Sequence, residues 1–367
     1  MTAAGAEGWM SRAIFLARKG KGRSAPNPAV GAVIVKNGKV AGEGWHKKAG
    51  GPHAEIMALK AAGPAARGAS LYVTLEPCNH HGRTGPCAGA LIQAGVREVF
   101  IGARDASPKP GRRGAAELKR AGVKVTLGVL ENECARLAED FFKHSTTGLP
   151  FVTLKTAMTL DGKIATWSGD SRWISSGKSR KLVHAMRNEM DAVMIGADTA
   201  LADDPLLTVR GVRGGRNPLR ALVDGRLRLP LDGAIAQGAA DIPTIVFTTA
   251  AHRAGAKAKA LQSLGVRVEA AGDGEKVDLR AAMATLGGMN VMSLMVESGG
   301  ALAWELVRLG LVDRVMFFIA PKIAGGPRCA MGLGGVERMA GAYELAEFTI
   351  RMIGPDALLE GRVKPGG

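Results

Sequence analysis

Three side chains that can ligate a metal, together with one carboxylate, constrain the fold of this chain more than any other feature. His53 and Glu55 lie two residues apart, and the thiols of Cys78 and Cys87 follow later in the chain. One imidazole and two thiolates suit zinc, which in catalytic sites takes three protein ligands and leaves its fourth tetrahedral position for water. The fold must therefore bring these separated ligands to one point, with Glu55 close enough to move protons there.

The local sequence places the ligands near two helix starts. Residues 54–62 are alanine-rich and follow Gly50-Gly51-Pro52, which predicts a helix that begins next to His53. Residues 71–75 are strand-like and stop before Pro77, where a loop or a second helix begins. Two helix N-termini facing one metal would favour thiolates and hydroxide.

The spacing of these residues is typical of one class of zinc enzyme. A His-x-Glu segment followed by Pro-Cys marks zinc-dependent deaminases that act on nucleobase-like rings, with two residues between their cysteines. In this chain eight residues separate Cys78 from Cys87. The alternative is a closed structural zinc site, in which His80 or His81 supplies a fourth ligand.

Length and composition predict two domains and a cytoplasmic location. The 367 residues are 46% hydrophobic, which is enough to build two cores. Four cysteines without a framework pattern fit a reducing compartment. The sequence shows neither an apolar leader nor an apolar run of membrane-spanning length, so we expect no membrane association.

The net charge of +16 is explained better by small anionic ligands together with a compositional bias towards Arg, Ala and Gly than by nucleic acid. The basic residues are scattered along the chain and form no single run. Proteins that bind single-stranded nucleic acid need aromatic stacking platforms, yet aromatic residues make up only 4% of this chain. We therefore expect a phosphorylated small molecule as the partner and no nucleic acid.

Strands and helices alternate along the first part of the chain. Residues 30–35 and those from Val40 onward are predicted to form a hairpin, because Asn37-Gly38 supplies the positive φ of a type I′ turn. The other predicted elements are strands at 96–101 and 123–127 and helices at 115–121 and 131–145. The turn at 146–150 marks a boundary between domains 1–147 and 151–367.

After this boundary the alternation restarts and predicts an α/β domain with a largely parallel, helix-covered sheet. The strand candidates are residues 151–158, 192–195, 221–223, 244–248, 291–296 and 315–319. Leu182, Met186 and Met190 fall four residues apart on an intervening helix, which predicts that the methionines pack in the core.

Three polar segments of the second domain follow predicted strands, namely residues 159–163, 201–210 and 295–302. In the last segment a strand ends at Gly299-Gly300 and a helix begins, so that backbone N–H groups are free to bind an anion. Polar loops at strand ends predict a site that is assembled there. The Gly-x-Gly-x-x-Gly fingerprint does not open a first βα unit here, so a Rossmann domain is not indicated.

Across essentially its whole length the sequence resembles the bifunctional deaminase–reductases of riboflavin biosynthesis. The matching segments of the first domain are residues 26–28, 42–46, 52–55 and 74–87, and the wide cysteine spacing belongs to that family. The matching segments of the second domain are residues 159–163, 201–210 and 297–300. The resemblance implies an α/β chain with an N-terminal cytidine-deaminase-like three-layer domain and a C-terminal dihydrofolate-reductase-like domain.

The resemblance also implies two reactions on one phosphorylated pyrimidine. A zinc-dependent hydrolysis would deaminate 2,5-diamino-6-ribosylamino-4(3H)-pyrimidinone 5′-phosphate, and an NADPH-dependent step would reduce the ribosyl group to ribityl. The implied zinc ligands are His53, Cys78 and Cys87, with Glu55 as the proton carrier. The implied contacts of the pyrimidine substrate are Asn27, His46 and Arg83.

In the reductase domain the resemblance implies contacts to both NADPH and the substrate. NADPH would contact Ala157, Trp173, Thr199, Asp203, Gly225, Gly299, Gly300, Ala301, Leu302, Ala303, Trp304 and Glu305. The substrate would contact Lys155, Ser171, Arg187, Leu206, Arg210 and Glu297. Trp173 could instead pack in the core. Gly225 stands where some relatives carry a serine, so a hydroxyl contact to the cofactor would be lost while a backbone contact could remain.

One alternative function comes from a different class of protein. It is a nucleic-acid-editing deaminase with a C-terminal binding module, which predicts salt-sensitive RNA or DNA binding and no redox role for the second domain.

The resemblance further implies a homo-oligomer, either a dimer or a tetramer.

Overall fold

The structure of the chain is a computed structural model that describes residues 3–79, 85–107, 113–332 and 334–364. Its internal contacts divide the chain into two units, Met1–Leu149 and Pro150–Gly367. Within the described ranges no helix is both long and apolar enough to cross a membrane.

The first unit contains a five-stranded sheet in the order β2-β1-β3-β4-β5. Its strands are β1 (Gly31–Lys36), β2 (Lys39–Trp45), β3 (Ser70–Leu75), β4 (Glu98–Ala103) and β5 (Lys124–Leu127). Its helices are α1 (Ala3–Arg18), α2 (Ala54–Ala62), α3 (Cys87–Gln93), α4 (Gly114–Arg120), α5 (Glu131–Leu137) and α6 (Glu139–Thr147), with a short 3-10 helix at Gly63–Ala66. Strand β1 pairs antiparallel with β2 and β3, whereas β3, β4 and β5 are parallel.

The predicted hairpin turn between β1 and β2 is confirmed. Asn37 and Gly38 have φ angles of 51° and 72°, the positive values that a type I′ turn requires at both central residues. The flanking residues Lys36 and Lys39 pair across the turn. This turn fixes the register of β2, which packs against α2, the helix that carries two of the predicted site residues.

Helices cover both faces of this sheet. On one face, α2, α3 and α4 pack through small and branched residues against Ile34, Leu71 and Val99. On the other face, α1 and α5 pack against Tyr72 and Phe100, whose rings stack at 4.6 Å between centroids. The first unit is therefore a three-layer α/β/α structure, as expected from the sequence.

One predicted helix of this unit is wrong in extent. The single helix expected at 131–145 is two helices, α5 and α6, because Ala138 leaves helical geometry with φ −104° and ψ 7°. The amide of Ala138 bonds to the carbonyl of Ala135 in place of the usual residue four positions back. Leu137 and Phe141, on either side of the break, are both buried.

The second unit contains a nine-stranded sheet in the order β10-β9-β8-β7-β11-β6-β12-β14-β13. Its strands are β6 (Phe151–Thr159), β7 (Ala192–Gly196), β8 (Leu219–Val223), β9 (Thr244–Thr248), β10 (Val266–Ala270), β11 (Ser293–Val296), β12 (Arg314–Ala320), β13 (Leu345–Ile353) and β14 (Asp356–Val363). The pairings from β10 to β12 are parallel, and β14 and β13 join in antiparallel fashion. The expected largely parallel sheet is confirmed, but β10, β13 and β14 were not predicted.

The helices of the second unit are α7 (Gly177–Glu189), α8 (Ala197–Asp203), α9 (Ala234–Gln237), α10 (Ala256–Ser263), α11 (Leu279–Gly288) and α12 (Gly300–Arg308), with 3-10 turns at Ala250–His252 and Met339–Gly341. Leu182, Met186 and Met190 pack against the core, as predicted for the methionines. Strands β6, β7 and β11 are neighbours and parallel, so their carboxyl ends meet at one edge of the sheet. Ligand sites of open α/β sheets form at such edges.

Candidate active sites

The first unit brings the three predicted metal ligands together. His53 is the N-cap of α2, Cys87 is the first residue of α3, and Cys78 lies in the loop after β3. Their ligand atoms lie within 4.8 Å of one another. The Nδ1 atom of His53 is 3.3 Å from Sγ of Cys87 and 3.6 Å from Sγ of Cys78. The expectation that two helix starts face one point is therefore met.

The chemistry of this group fits zinc. The backbone N–H of Cys87 donates to Sγ of Cys78 at 3.5 Å. A hydrogen bond from the Cys87 thiol, with the nearby His53, lowers the pKa of the Cys78 thiol and so favours a thiolate. One imidazole and two sulfurs form a three-ligand set of the catalytic type. His80, His81 and Arg83, which the sequence singled out, lie outside the described residues.

Glu55 is a buried carboxyl beside this ligand group. It lies in the first turn of α2, is only 4% exposed, and its carboxyl reaches the Cys87 thiol. Burial raises the pKa of the Glu55 carboxyl, although the nearby His53 opposes the effect. A carboxyl with a raised pKa can both accept and return a proton near neutral pH.

Asn27 and His46 lie next to the ligand group. Nδ2 of Asn27 is 3.1 Å from Nε2 of His46, and Nδ1 of His46 is 3.1 Å from the carbonyl oxygen of Pro52. The His46 ring meets the His53 ring edge-on at 5.3 Å between centroids. Burial lowers the pKa of His46, so a neutral imidazole donates to Pro52 and accepts from Asn27.

We expect Gly44→Ala to impair this site without touching it. A Cβ atom at Gly44 would lie 2.6 Å from the backbone nitrogen of Ala58 and still closer to the carbonyl of Ala54, so α2 must shift. Displacement of His53 and Glu55 is expected to slow ammonia release by at least about tenfold. Gly8→Ala on α1 meets nothing within 4 Å and is the control. Unchanged ammonia release in Gly44→Ala would show that the start of α2 tolerates the shift.

The second unit has a cavity of about 490 Å³ at the carboxyl ends of β6, β7 and β11. Eleven of the predicted cofactor and substrate residues line it: Lys155, Ala157, Ser171, Trp173, Arg187, Thr199, Asp203, Leu206, Arg210, Glu297 and Gly299. Two hydrogen bonds join the strand ends beside the cavity. The Gly299 amide donates to Oγ1 of Thr199 at 3.1 Å, and the Gly196 amide donates to Oγ of Ser298 at 3.2 Å.

A buried ion-pair network forms part of the cavity wall. Arg187 binds the carboxylate of Glu297 through two nitrogens, at 2.6 and 3.0 Å, and Nζ of Lys155 lies 3.2 Å from the same carboxylate. Burial alone would raise the pKa of Glu297, but the two cations outweigh it and lower the pKa to about 2. The Glu297 carboxylate therefore stays charged, and the guanidinium of Arg187 is bound to it.

Trp173 is exposed and does not pack in the core. Its side chain is 60% exposed, and the guanidinium of Arg180 lies 4.3 Å from its ring centroid. The neighbouring Ser171 hydroxyl donates to Asp203 at 3.0 Å. Of the two interpretations that the sequence allowed for Trp173, the structure supports an accessible aromatic face beside the cavity.

The remaining predicted cofactor residues lie outside the cavity lining. The carbonyl of Gly225, after β8, accepts hydrogen bonds from Thr248 and Thr249. The others belong to the first turns of α12: Gly300, Ala301, Leu302, Ala303, Trp304 and Glu305. Gly300 packs against the backbone of Gly332, where an added Cβ would approach to 2.5 Å. Ala303 is fully buried in the helix interface.

Sequence analysis missed three cavity residues on α7, namely Arg180, Val183 and His184, and placed one turn at the site that does not line the cavity. Arg180 and His184 line the cavity with Arg187, and the spacing of four and three residues could have revealed one shared helix face. The turn at 159–163 stays outside the cavity lining apart from its neighbour Ile164. Its Asp161 instead accepts from the amides of Ala324 and Gly325, and a hydrogen bond from Thr159 helps lower the pKa of this carboxyl to about 2.

Two family profiles together cover most of the chain. The cytidine and deoxycytidylate deaminase zinc-binding region matches residues 4–103, and the RibD C-terminal domain matches residues 150–359. The chain is 41% identical to the riboflavin biosynthesis protein RibD of Aquifex aeolicus, over 96% of each chain. It is 38% identical to RibD of Escherichia coli, over 96% of this chain and 98% of that one.

Solved structures give the same result. Acinetobacter baumannii RibD superposes with a TM-score of 0.87 at 35% identity, covering 99% of this chain and 100% of that one. A Thermotoga maritima diaminohydroxyphosphoribosylaminopyrimidine deaminase/5-amino-6-(5-phosphoribosylamino)uracil reductase superposes with a TM-score of 0.85 at 36% identity, over 99% of both chains. These relatives do not favour a nucleic-acid-editing deaminase. The resemblance seen in the motifs is thus confirmed, and the chain belongs to the RibD family of bifunctional deaminase/reductases in riboflavin biosynthesis.

Proposed function

We propose that residues 1–147 deaminate 2,5-diamino-6-ribosylamino-4(3H)-pyrimidinone 5′-phosphate and that residues 151–367 then reduce the ribosyl group of the product. The observation that carries the first step is the three-ligand group beside the buried Glu55. The second step is supported by the charged cavity at the strand ends. The final product would be 5-amino-6-ribitylamino-uracil 5′-phosphate.

In the deaminase site, His53, Cys78 and Cys87 would hold one zinc ion, which would supply Lewis acidity to a water molecule. Glu55 would pass one proton of the attacking water to the ring nitrogen and the second proton to the departing amine, which leaves as ammonia. The hydrogen-bonded pair of Asn27 and His46 orients the pyrimidine. Arg83 is assigned to the substrate phosphate by family resemblance alone.

In the reductase site, NADPH supplies the hydride, and the protein aligns the reactants. The proposed cofactor residues are Ala157, Trp173, Thr199, Asp203, Gly225 and the α12 start, 299–305. The proposed substrate residues are Lys155, Ser171, Arg187, Leu206, Arg210 and Glu297. Glu297 keeps Lys155 and Arg187 in fixed places, and Arg210 presents its guanidinium to the phosphate. A homo-oligomer, dimer or tetramer, belongs to the same proposal.

A coupled assay with removal of the metal tests this function. With the diaminopyrimidine phosphate, the chain should release ammonia without NADPH, and NADPH oxidation should require that release. Chelation of zinc should abolish ammonia release and leave NADPH oxidation intact when the deaminated intermediate is supplied. Metal analysis should find one zinc per chain, and Cys87→Ser should lose it. Full ammonia release from metal-free protein would contradict the deaminase assignment.

A further inference from the structure

The loop from Asp204 to Arg210 borders the reductase cavity in a strained conformation. Asp204 and Leu207 have positive φ angles of 38° and 53°, in the left-handed region that non-glycine residues seldom adopt. Leu206, Leu207 and Arg210 all line the cavity, and Leu207 is also buried in the core. Such strain persists only where surrounding groups hold the backbone in place.

Hydrogen bonds from distant elements hold this loop. The Ala234 amide donates to Asp204 at 2.8 Å, and the Val209 amide donates to Asn217 at 2.8 Å. Nη1 of Arg187 donates to the carbonyl of Thr208 at 3.1 Å. Because Arg187 is also bound to Glu297, it joins the loop to the ion-pair network.

His184 contacts the same loop at Thr208 and Arg210. Its Nδ1 atom lies 3.1 Å from the carbonyl oxygen of Thr208 and 3.3 Å from the backbone nitrogen of Arg210. In either neutral tautomer Nδ1 therefore bonds to the loop, as a donor to Thr208 or as an acceptor from Arg210. Burial, with Arg187 and Arg210 nearby, lowers the pKa of His184 and keeps the ring neutral.

Arg210 is the cavity arginine whose side chain remains available. Arg187 is bound to Glu297 and Thr208, and Arg172 donates to the carbonyl of Asp203. Arg180 donates to the carbonyl of Ser175 and lies over the ring of Trp173. The guanidinium of Arg210 has no hydrogen-bond or ion-pair partner in the part of the chain that the structure describes. The direction in which it points is set by its backbone, which His184 contacts directly.

We propose that His184 is a positioning residue of the reductase site, which through Nδ1 fixes the backbone of Thr208 and Arg210 so that Arg210 meets the phosphate of the substrate. The inference rests on the proposed function and deepens it by naming the part of the substrate that His184 governs. His184 itself touches neither the hydride donor nor the reacting carbon in this account.

Two amide substitutions distinguish the role of Nδ1 of His184 from that of Nε2. The side-chain amide of H184N occupies the place of Nδ1 and can donate or accept there, whereas that of H184Q reaches the place of Nε2. H184Q should raise KM for the deaminated ribosyl phosphate about tenfold with little change in kcat, because one fixed hydrogen bond is lost. H184N should keep KM within about twofold of the wild-type value. Lys181→Gln, at an exposed position of α7, is the control.

The dephosphorylated nucleoside separates positioning from general damage. With that substrate H184Q and the wild type should share one KM, because the contact made by Arg210 no longer exists. H184Q should also add little to R210A, since both changes remove the same interaction. Should H184Q fail to fold, as judged by circular dichroism, H184S removes Nδ1 with a smaller side chain.

Three results would overturn the proposal: an equal rise in KM for both substrates, an H184N variant as impaired as H184Q, or an H184Q variant that matches the wild type. A wild-type chain that oxidises no NADPH contradicts the proposed function, and the positioning role falls with it. An active wild type with any of the three results contradicts the positioning role alone.

Discussion

Glu55→Gln is expected to lower the rate of ammonia release by about 10²- to 10⁴-fold, the range that general acid–base catalysis contributes. The amide is nearly isosteric with the carboxyl but cannot move a proton between water, ring nitrogen and leaving amine. Because Glu55 is not among the three ligand residues, the variant should still bind zinc. The measurement is ammonia release from the diaminopyrimidine phosphate, with metal content determined on the same sample.

Controls for this result are available in the same chain. Glu7→Gln changes an exposed carboxylate of α1 and should leave ammonia release unchanged. NADPH oxidation with the deaminated intermediate should also be unchanged in Glu55→Gln. If Glu55→Gln keeps zinc and deaminates at the wild-type rate, another group carries the proton and the assignment of Glu55 fails.

Glu297→Gln is expected to damage both the stability and the activity of the reductase unit. The change leaves the side chains of Arg187 and Lys155, which are 13% and 15% exposed, without their carboxylate. Breaking a buried ion pair in this way costs about 3–5 kcal/mol, so the free energy of unfolding by urea should fall by that order. NADPH oxidation should fall at least about 100-fold, because the carboxylate charge is lost and the cations of Arg187 and Lys155 are no longer held in place.

The lowered pKa of Glu297 also predicts how the effect of Glu297→Gln on stability depends on pH. The pKa of Glu297 is about 2 in the folded chain, against about 4.3 for an unperturbed glutamate. Its contribution to stability is therefore complete above the unfolded pKa and is lost as pH falls through that range towards the folded pKa. The stability gap between wild type and Glu297→Gln should shrink on acidification below about pH 4.

A matched surface change guards against a general effect of losing a carboxylate. Glu269→Gln breaks an exposed pair with Arg267 on the edge strand β10, and such pairs contribute about 0–1 kcal/mol. A Glu297→Gln chain as stable and as active as Glu269→Gln would contradict the account of the cavity. Ammonia release should be unaffected in both variants.

Much of this arrangement could be predicted because the relevant signals are local. The turn at Asn37-Gly38 is dictated by positive φ, and the ligand group follows from residue types placed beside two helix starts. Central strands such as β7 and β11 are continuous apolar runs in the sequence. They can therefore be predicted without knowing which strands lie beside them. The cavity residues were predicted individually, by matching each position of the sequence to the family motifs.

What could not be predicted depends on packing between distant segments. Nothing near Ala138 in the sequence signals the break between α5 and α6. Strands β13 and β14 form an antiparallel hairpin at the end of the sheet, where pairing rather than hydrophobicity defines the strand. The contact of His184 with Thr208 and Arg210 joins α7 to a strained loop, and no local pattern in the sequence predicts it.

We propose that one chain deaminates the pyrimidine first and then reduces the sugar, at two separate sites. Mass spectrometry of the products formed with NADPH that carries deuterium in its transferable position tests it directly. We expect the 2-amino group to be replaced by oxygen before any deuterium appears, and the final product to carry one deuterium in its ribityl chain. A deuterated product that still retains the 2-amino group, or complete deamination with no deuterium transfer, would contradict this order of reactions.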